Sequence, residues 1–367
     1  MTFAIPAAFR TGGCRLARIR RAGLASLLAV SVVLPKPSAA AAPVTLAGGE
    51  QIAVRSSEIL RFEKKSATTR FGALTFLGGL QFSSSDDRLH GISAIRLMPG
   101  GERFVAVTDN GCWIAGEINR DAEGRPTGFR QIAAAPLTDR LGRRIGGKAL
   151  GDAESLAIDA DARRAIVGFE QNHRIWAYDL DRLGEGPAEN LPLSIPAREL
   201  RANKGMETLA IAPQASPLAG ALVTVAEHSI DETGNLFAGI AGRGHDGVFK
   251  VRRDVVWEVS DGDFLPNGDL LLLERRFQGL LGGLGIRIRQ IPGETIEPGA
   301  LVDGPVVFSA DLSDEIDNME GLDVWEDAAG RTRLTLISDD NGSIFQRNIL
   351  LEFLWSGEEP GSGDVIQ

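Results

Sequence analysis

A short phrase returns along the chain: an acid, a small residue, then an apolar pair. It reads Glu154-Ser155-Leu156-Ala157-Ile158, Glu207-Thr208-Leu209-Ala210-Ile211 and Glu320-Gly321-Leu322-Asp323-Val324, with weaker copies at Asp261-Gly262-Asp263-Phe264-Leu265 and Ser93-Ala94-Ile95. Aligned on positions 93, 154, 207, 261 and 320, the copies step by 61, 53, 54 and 59 residues. Recurrence at that interval predicts a repeat architecture, in which each unit buries its apolar face only against its neighbours.

Each copy has a second half, an apolar run that ends in another acid. Residues 104–107 precede Asp109, 165–169 precede Glu170, 221–225 precede Glu227, 270–273 precede Glu274 and 334–337 precede Asp339. Turn formers such as Pro99-Gly100-Gly101 and Pro266-Asn267-Gly268 separate the halves, so each copy reads as a β-hairpin. The start of a hairpin's first strand and the end of its second lie at the same end. Glu154 is therefore expected beside Glu170, Glu207 beside Glu227, Asp261 beside Glu274 and Glu320 beside Asp339. Set around an axis, these acids gather on one rim. Asp109 stands alone there, because Ser93 holds the place of its partner, so the ring is not symmetric.

The fold expected is all-β: a β-propeller of five or six blades, with six favoured. Residues 44–85 hold strand-like runs without the acid phrase; they are expected to pair with C-terminal strands such as residues 349–355, and six blades result if they complete one of their own. A β-solenoid is the rival, with a shorter period. No linker interrupts residues 43–367, which are expected to form one domain.

The first 42 residues read as an export signal. Arg10, Arg15, Arg18, Arg20 and Arg21 form a basic start, residues 22–34 are an apolar run too short to span a bilayer, and small residues follow Pro35 and Pro37. Arg20-Arg21 is a candidate twin-arginine pair, and a periplasmic or secreted location is expected. Removing residues 1–42 takes away six positive charges and no negative ones, so the formal charge falls from −10 to −16. Such a chain suits neither nucleic acid nor, once the signal is gone, a membrane. A monomer is expected. Cys14 lies in the signal, which leaves Cys112 without a disulfide partner; a buried structural thiol is the expectation.

The ordered phrases His90-Gly91-Ile92-Ser93-Ala94-Ile95, Thr108-Asp109-Asn110-Gly111, Asp152-Ala153-Glu154-Ser155-Leu156, Lys204-Gly205-Met206-Glu207-Thr208-Leu209, Leu272-Leu273-Glu274-Arg275 and Asn318-Met319-Glu320-Gly321-Leu322 resemble the phytase-like family, also described by an esterase-like activity of phytase, of exported bacterial propeller proteins. The family's usual residue after the acid is Gly, where this chain has Ser155 and Thr208. The resemblance implies phosphoester hydrolysis.

Carboxylate oxygens are hard ligands, and crowded carboxylates repel unless a cation, a proton or a basic side chain neutralises them. A divalent metal, Ca²⁺ by preference, is therefore the expected cofactor. Its candidate ligands are Asp109, Glu170, Glu227, Asp261, Glu274 and Asp339. Glu207, Glu320 and Glu154 are candidate catalytic carboxylates, with His228 as a general acid or base and His173 beside it in the same role. Arg275 and Lys204 are candidates to hold substrate oxygens. For any one acid the alternative is a bond to backbone N–H of the next blade; for Arg275 it is a plain salt bridge. The Asp339-Asp340-Asn341-Gly342 run lacks the full spacing of a calcium loop and also reads as an Asn-Gly turn. The Gly-rich stretch 279–285 reads as a loop over one face and a candidate lid.

No nucleophile elbow, P-loop or zinc-protease motif is present. Three functions stay open: a metal-dependent phosphoesterase acting on a small molecule, a Ca²⁺-dependent hydrolase of another ester such as a lactone, and a non-catalytic ligand-binding propeller.

Overall fold

The structure is a computed structural model and describes residues 46–279 and 283–357. The export signal expected in residues 1–42 lies outside the described residues.

The described residues form twenty-four strands. The chain opens with β1 (Glu50–Gln51), β2 (Val54–Ile59), β3 (Arg70–Phe71) and β4 (Leu74–Ser84). It continues with β5 (Ile92–Leu97), β6 (Arg103–Thr108), β7 (Cys112–Arg120) and β8 (Pro126–Pro136). A second meander holds β9 (Ala153–Asp159), β10 (Arg164–Phe169), β11 (Arg174–Asp179) and β12 (Glu189–Leu191). A third holds β13 (Met206–Ile211), β14 (Leu222–Ile230), β15 (Leu236–Ala241) and β16 (Gly247–Val251). A fourth follows with β17 (Glu258–Phe264), β18 (Leu270–Phe277), β19 (Leu284–Ile291), the short β20 (Leu301–Val302) and β21 (Val306–Asp311). The last strands are β22 (Met319–Glu326), β23 (Thr332–Ser338) and β24 (Asn348–Trp355).

They form five sheets: β5 to β8 with β1 on the outer edge, β9 to β12, β13 to β16 with β20, β17-β18-β19-β21, and β22-β23-β24-β4-β2 with β3 paired to β4. The innermost strands β5, β9, β13, β17 and β22 are neighbours in that order, and β22 returns to β5. The ring closes as a five-bladed propeller. A sixth blade is not formed. The last meander supplies only three strands, and β4 supplies the fourth by pairing along β24 from Leu74↔Trp355 to Phe82↔Asn348. The N-terminal strands are thus spent on sealing the ring, as their missing acid phrase foreshadowed.

Five apolar clusters fill the five interfaces between blades. Side chains alternate across a strand, so a strand buried on both faces reads as a continuous apolar run. In β18, Leu271 and Leu273 pack toward the fifth blade while Leu270 and Leu272 pack toward the third. In β6, Val105 and Val107 face the second blade and Phe104 and Ala106 the fifth. Each Leu, Val or Phe among them contributes about 1.5–3 kcal/mol of burial, which makes the ring difficult to open at any one seam.

The Gly-rich stretch links β18 to β19, whose pairing runs to Phe277↔Leu284; residues 280–282, the centre of the expected lid, lie outside the described residues. Cys112 is half-buried and free, and burial raises its thiol pKa.

Candidate active site at the channel mouth

Each inner strand carries a bulge at the same end, where the register with the next strand skips one residue. The skipped residues are Ser93, Glu154, Glu207, Ser260 and Glu320. Just outside each bulge the second strand places Thr108, Phe169, Ala226, Glu274 and Ser338. The residues that follow them are Asp109, Glu170, Glu227, Arg275 and Asp339. Ten equivalent positions thus surround the channel mouth, two from each blade, and all but Ser260 line a cavity of about 430 Å³.

This register corrects the sequence reading in the fourth blade. The bulge falls on Ser260, not on Asp261, and the mouth position of the second strand is Arg275, not Glu274. A slip of one residue sends a strand side chain to the other face. Glu274 points away from the mouth into a buried ion-pair cluster, where Arg287 Nε donates to it at 2.6 Å and Arg289 also pairs with it. Asp261 lies below the mouth. Arg96 binds both its oxygens, with Nη1 to Oδ2 at 2.9 Å and Nη2 to Oδ1 at 3.0 Å, and the N–H of Leu322 donates to Oδ2 at 2.9 Å. In every blade an apolar residue (Ile92, Ala153, Met206, Val259, Met319) stands just before the bulge.

The cavity is lined by eight carboxyl side chains and three cations, Lys148, Lys204 and Arg275. Seven of the nine acids expected on the rim are there: Asp109, Glu154, Glu170, Glu207, Glu227, Glu320 and Asp339. The eighth carboxyl, Asp152, was not anticipated as a site residue; only its place two residues before Glu154 could have drawn notice. His228 does not line the cavity. Its Nδ1 lies 2.9 Å from Glu258 Oε1, facing a groove outside. His173 sits near the rim, with Nε2 3.1 Å from the carbonyl of Arg201.

The cations are placed among the acids. Arg275 bonds Glu320, donates to Asn318 Oδ1 at 2.8 Å and reaches Glu227 Oε1 at 3.4 Å. Lys204 Nζ lies 2.9 Å from Glu258 and 3.4 Å from Glu227. Lys148 Nζ lies 2.7 Å from Asp109 and 3.6 Å from Asp152. Two acids also do structural work: the N–H of Gly205 donates to Glu170, and that of Gly91 to Asp339 Oδ1 at 2.8 Å. Gly91 has φ +74°, and a Cβ there would stand 1.9 Å from Asp109 Oδ1, so the close approach of the two strand ends of the first blade at this point requires glycine.

Charge remains in excess. Burial first, then the Asp152 and Glu170 carboxylates, raises the Glu154 pKa well above the usual range. Burial likewise raises Glu207 well above it, with Glu154 and Glu227 adding to the effect. Glu170 is pushed up to about 7 by burial, against the Gly205 N–H. Glu320 is pushed up to about 6 by burial, with Arg275 opposing. A buried, crowded carboxylate resists ionising unless a cation arrives.

Oxygens of Asp152, Glu154 and Glu170 lie within 4.8 Å of one another, and this buried acidic triad can bind a metal ion. Asp152 is 2 % exposed, and its Oδ1 accepts no hydrogen bond, Lys148 Nζ standing 3.6 Å from it. Asp109 Oδ1 is also buried and lacks one. An all-oxygen donor set with orphaned lone pairs fits a hard cation.

Below the mouth the channel is filled. The Arg96 guanidinium, 4 % exposed, donates to the carbonyls of Ile95 at 2.7 Å, Leu322 at 2.9 Å and Leu209 at 3.2 Å as well as to Asp261. It therefore joins the inner strands of four blades, with Asp323 Oδ1 3.8 Å from its Nε. The Asp339-Asp340-Asn341-Gly342 run turns at Asn341 (φ 49°) and Gly342 (φ 61°).

Among solved structures the chain is similar to an endo-arabinase from Bacteroides thetaiotaomicron VPI-5482, at 12 % identity over 72 % of this chain and 93 % of that one, with a TM-score of 0.43. It is also similar to the hydrazine synthase of Kuenenia stuttgartiensis, at 13 % identity over 69 % of this chain and 78 % of that one, with a TM-score of 0.34. No curated protein matches it in sequence. The profile of the Phytase-like family, described as esterase-like activity of phytase, matches residues 87–342. That span begins just before β5, ends just after Asp339 and takes in every residue named at the mouth: the chain belongs to the Phytase-like family.

Proposed function

We propose that the protein is a calcium-dependent phosphoesterase that hydrolyses a small-molecule phosphoester at the channel mouth. The observation that carries this reading is the convergence of eight carboxyls and three cations from all five blades on one cavity. Family membership supports a hydrolase acting on esters.

Asp152, Glu154 and Glu170 would hold the cation. When bound, it would offset carboxylate charge and polarise the phosphoryl oxygens of a substrate. Arg275 and Lys204 are placed to hold the remaining phosphoryl oxygens, since both line the cavity. Glu207 and Glu320 line the cavity and stand outside the triad, which leaves them for proton transfer. Glu320, oriented by Arg275 and Asn318, takes a proton from the attacking water. The water oxygen bonds to phosphorus as the bond from phosphorus to the leaving oxygen breaks, and Glu207 returns a proton to that oxygen. The export signal read in residues 1–42 would deliver the protein to a calcium-rich compartment, where a weak site suffices.

The test is a panel of phosphomonoesters, phosphodiesters and lactones assayed with calcium and after chelation. Turnover of phosphoesters that chelation abolishes and calcium restores is expected. Turnover of lactones alone, or phosphoester turnover indifferent to chelation, contradicts the proposal.

A further inference from the structure

A groove of about 1100 Å³ opens beside the mouth and shares Arg275, Glu320 and Asn341 with it. It lies at the top of the fourth and fifth blades. Its lining is unlike that of the mouth: Val255, Val256, Phe277, Leu312 and Phe345 face it. These side chains are unusually exposed for their type, with Val255 at 75 %, Phe277 at 70 % and Phe345 at 89 %. They are far apart in sequence yet collected along one groove, and a contiguous apolar surface of this kind marks a binding site. Its volume lies just above the range of small-ligand sites, about 300–1,000 Å³, which leaves room for an extended ligand.

Two cations stand in this apolar setting. Arg253 and Arg276 both line the groove, and neither has an ion-pair partner among the described residues. The Nε of each is buried without a hydrogen bond. Arg276 lies over the Trp257 ring at 5.1 Å. The acids at the margin are already satisfied: Glu258 by Lys204 and His228, Asp317 by Arg347, and Glu320 by Arg275. The free electrostatic character of the groove is therefore cationic, next to an apolar floor.

We propose that the substrate of the mouth is an amphipathic phosphoester, with its anionic group at Arg275 and an extended alkyl or acyl chain lying along the groove past Phe277 and Leu312. This inference rests on reading the mouth as a phosphoester site and adds the chemical class of what it takes. The occupant is a single soluble amphiphile; a second protein chain covering the same face is the competing occupant.

The experiment compares 4-nitrophenyl alkyl phosphodiesters bearing methyl, hexyl or decyl groups, kept below micelle formation, in the presence of calcium. The expected result is a kcat/KM that rises with chain length, by up to about fourfold for each methylene buried. Phe277→Ser and Leu312→Ser should each collapse the ratio of decyl to methyl turnover. A kcat/KM independent of chain length overturns the inference and leaves the phosphoesterase reading standing. If no ester is turned over, that reading fails and the groove is judged by binding alone, with decyl phosphate and methyl phosphate as calorimetric probes. Tighter binding of decyl phosphate that Phe277→Ser abolishes then supports an amphiphile site; equal or absent binding overturns it. Sedimentation as a dimer that Phe277→Ser and Leu312→Ser convert to monomer also overturns it, because the face is then an interface between copies.

Discussion

Replacing Arg96 by methionine is expected to destabilise the fold by about 3–5 kcal/mol at about pH 8 and by much less at about pH 5. Arg96 is the countercharge at the centre of the ring. It binds both oxygens of Asp261 and stands 3.8 Å from Asp323. Its removal leaves Asp261, Asp263 and Asp323 facing one another in the sealed channel. Burial already pushes Asp261 up to about 6 with Arg96 opposing, and raises Asp323 well above the usual range, with Asp263 next. A carboxyl whose folded pKa is raised stabilises the fold below its ordinary pKa, and that contribution is lost as pH rises through the folded value. Without Arg96 the folded values climb further, so the loss is greatest in alkali and small where the carboxyls are protonated. Urea unfolding at the two pH values measures this. Equal losses at both would mean that Arg96 acts by packing alone.

Glu207→Gln and Glu320→Gln should each lower kcat/KM by about 10²–10⁴-fold, the usual range for removing a proton-transfer group. Stability should separate this role from a structural one. Glu207 is 7 % exposed, and burial opposes its ionisation, so the amide should leave the metal-free protein as stable as before or more so. Glu320→Gln weakens the partner of Arg275 and should lower the melting temperature modestly. Loss of both activity and folding in Glu207→Gln would assign that side chain to the architecture.

Much of this was legible in the sequence, because the physics that set it is local. Hairpins announce themselves by a period of two and by turn residues, and their recurrence exposed the ring. The runs in residues 44–85 lacked the acid phrase, which pointed to closure against the C-terminal strands. The fourth blade was misread for an equally local reason. Asp261-Gly262 imitates the phrase better than Val259-Ser260 does, and only the bulge decides which residue reaches the mouth. Asp261 and Glu274 were thereby placed on the rim, and Arg275 was recognised as a ligand group without being seen as the replacement of an acid. What joins distant blades was not legible. Arg96 reads as one exposed strand residue among many until four blades close around it, and the groove exists only because Val255, Phe277, Leu312 and Phe345 are brought together by the ring.

The divalent cation proposed for the mouth would be held through the second blade. Calorimetric titration of metal-free protein with calcium, for the natural chain and for Asp152→Asn combined with Glu154→Gln, tests it most directly. Saturable binding that the double variant weakens by about tenfold or more is expected, since affinity follows the charge and number of ligands. Calcium binding of unchanged strength in the double variant, or none in the natural chain, would contradict it.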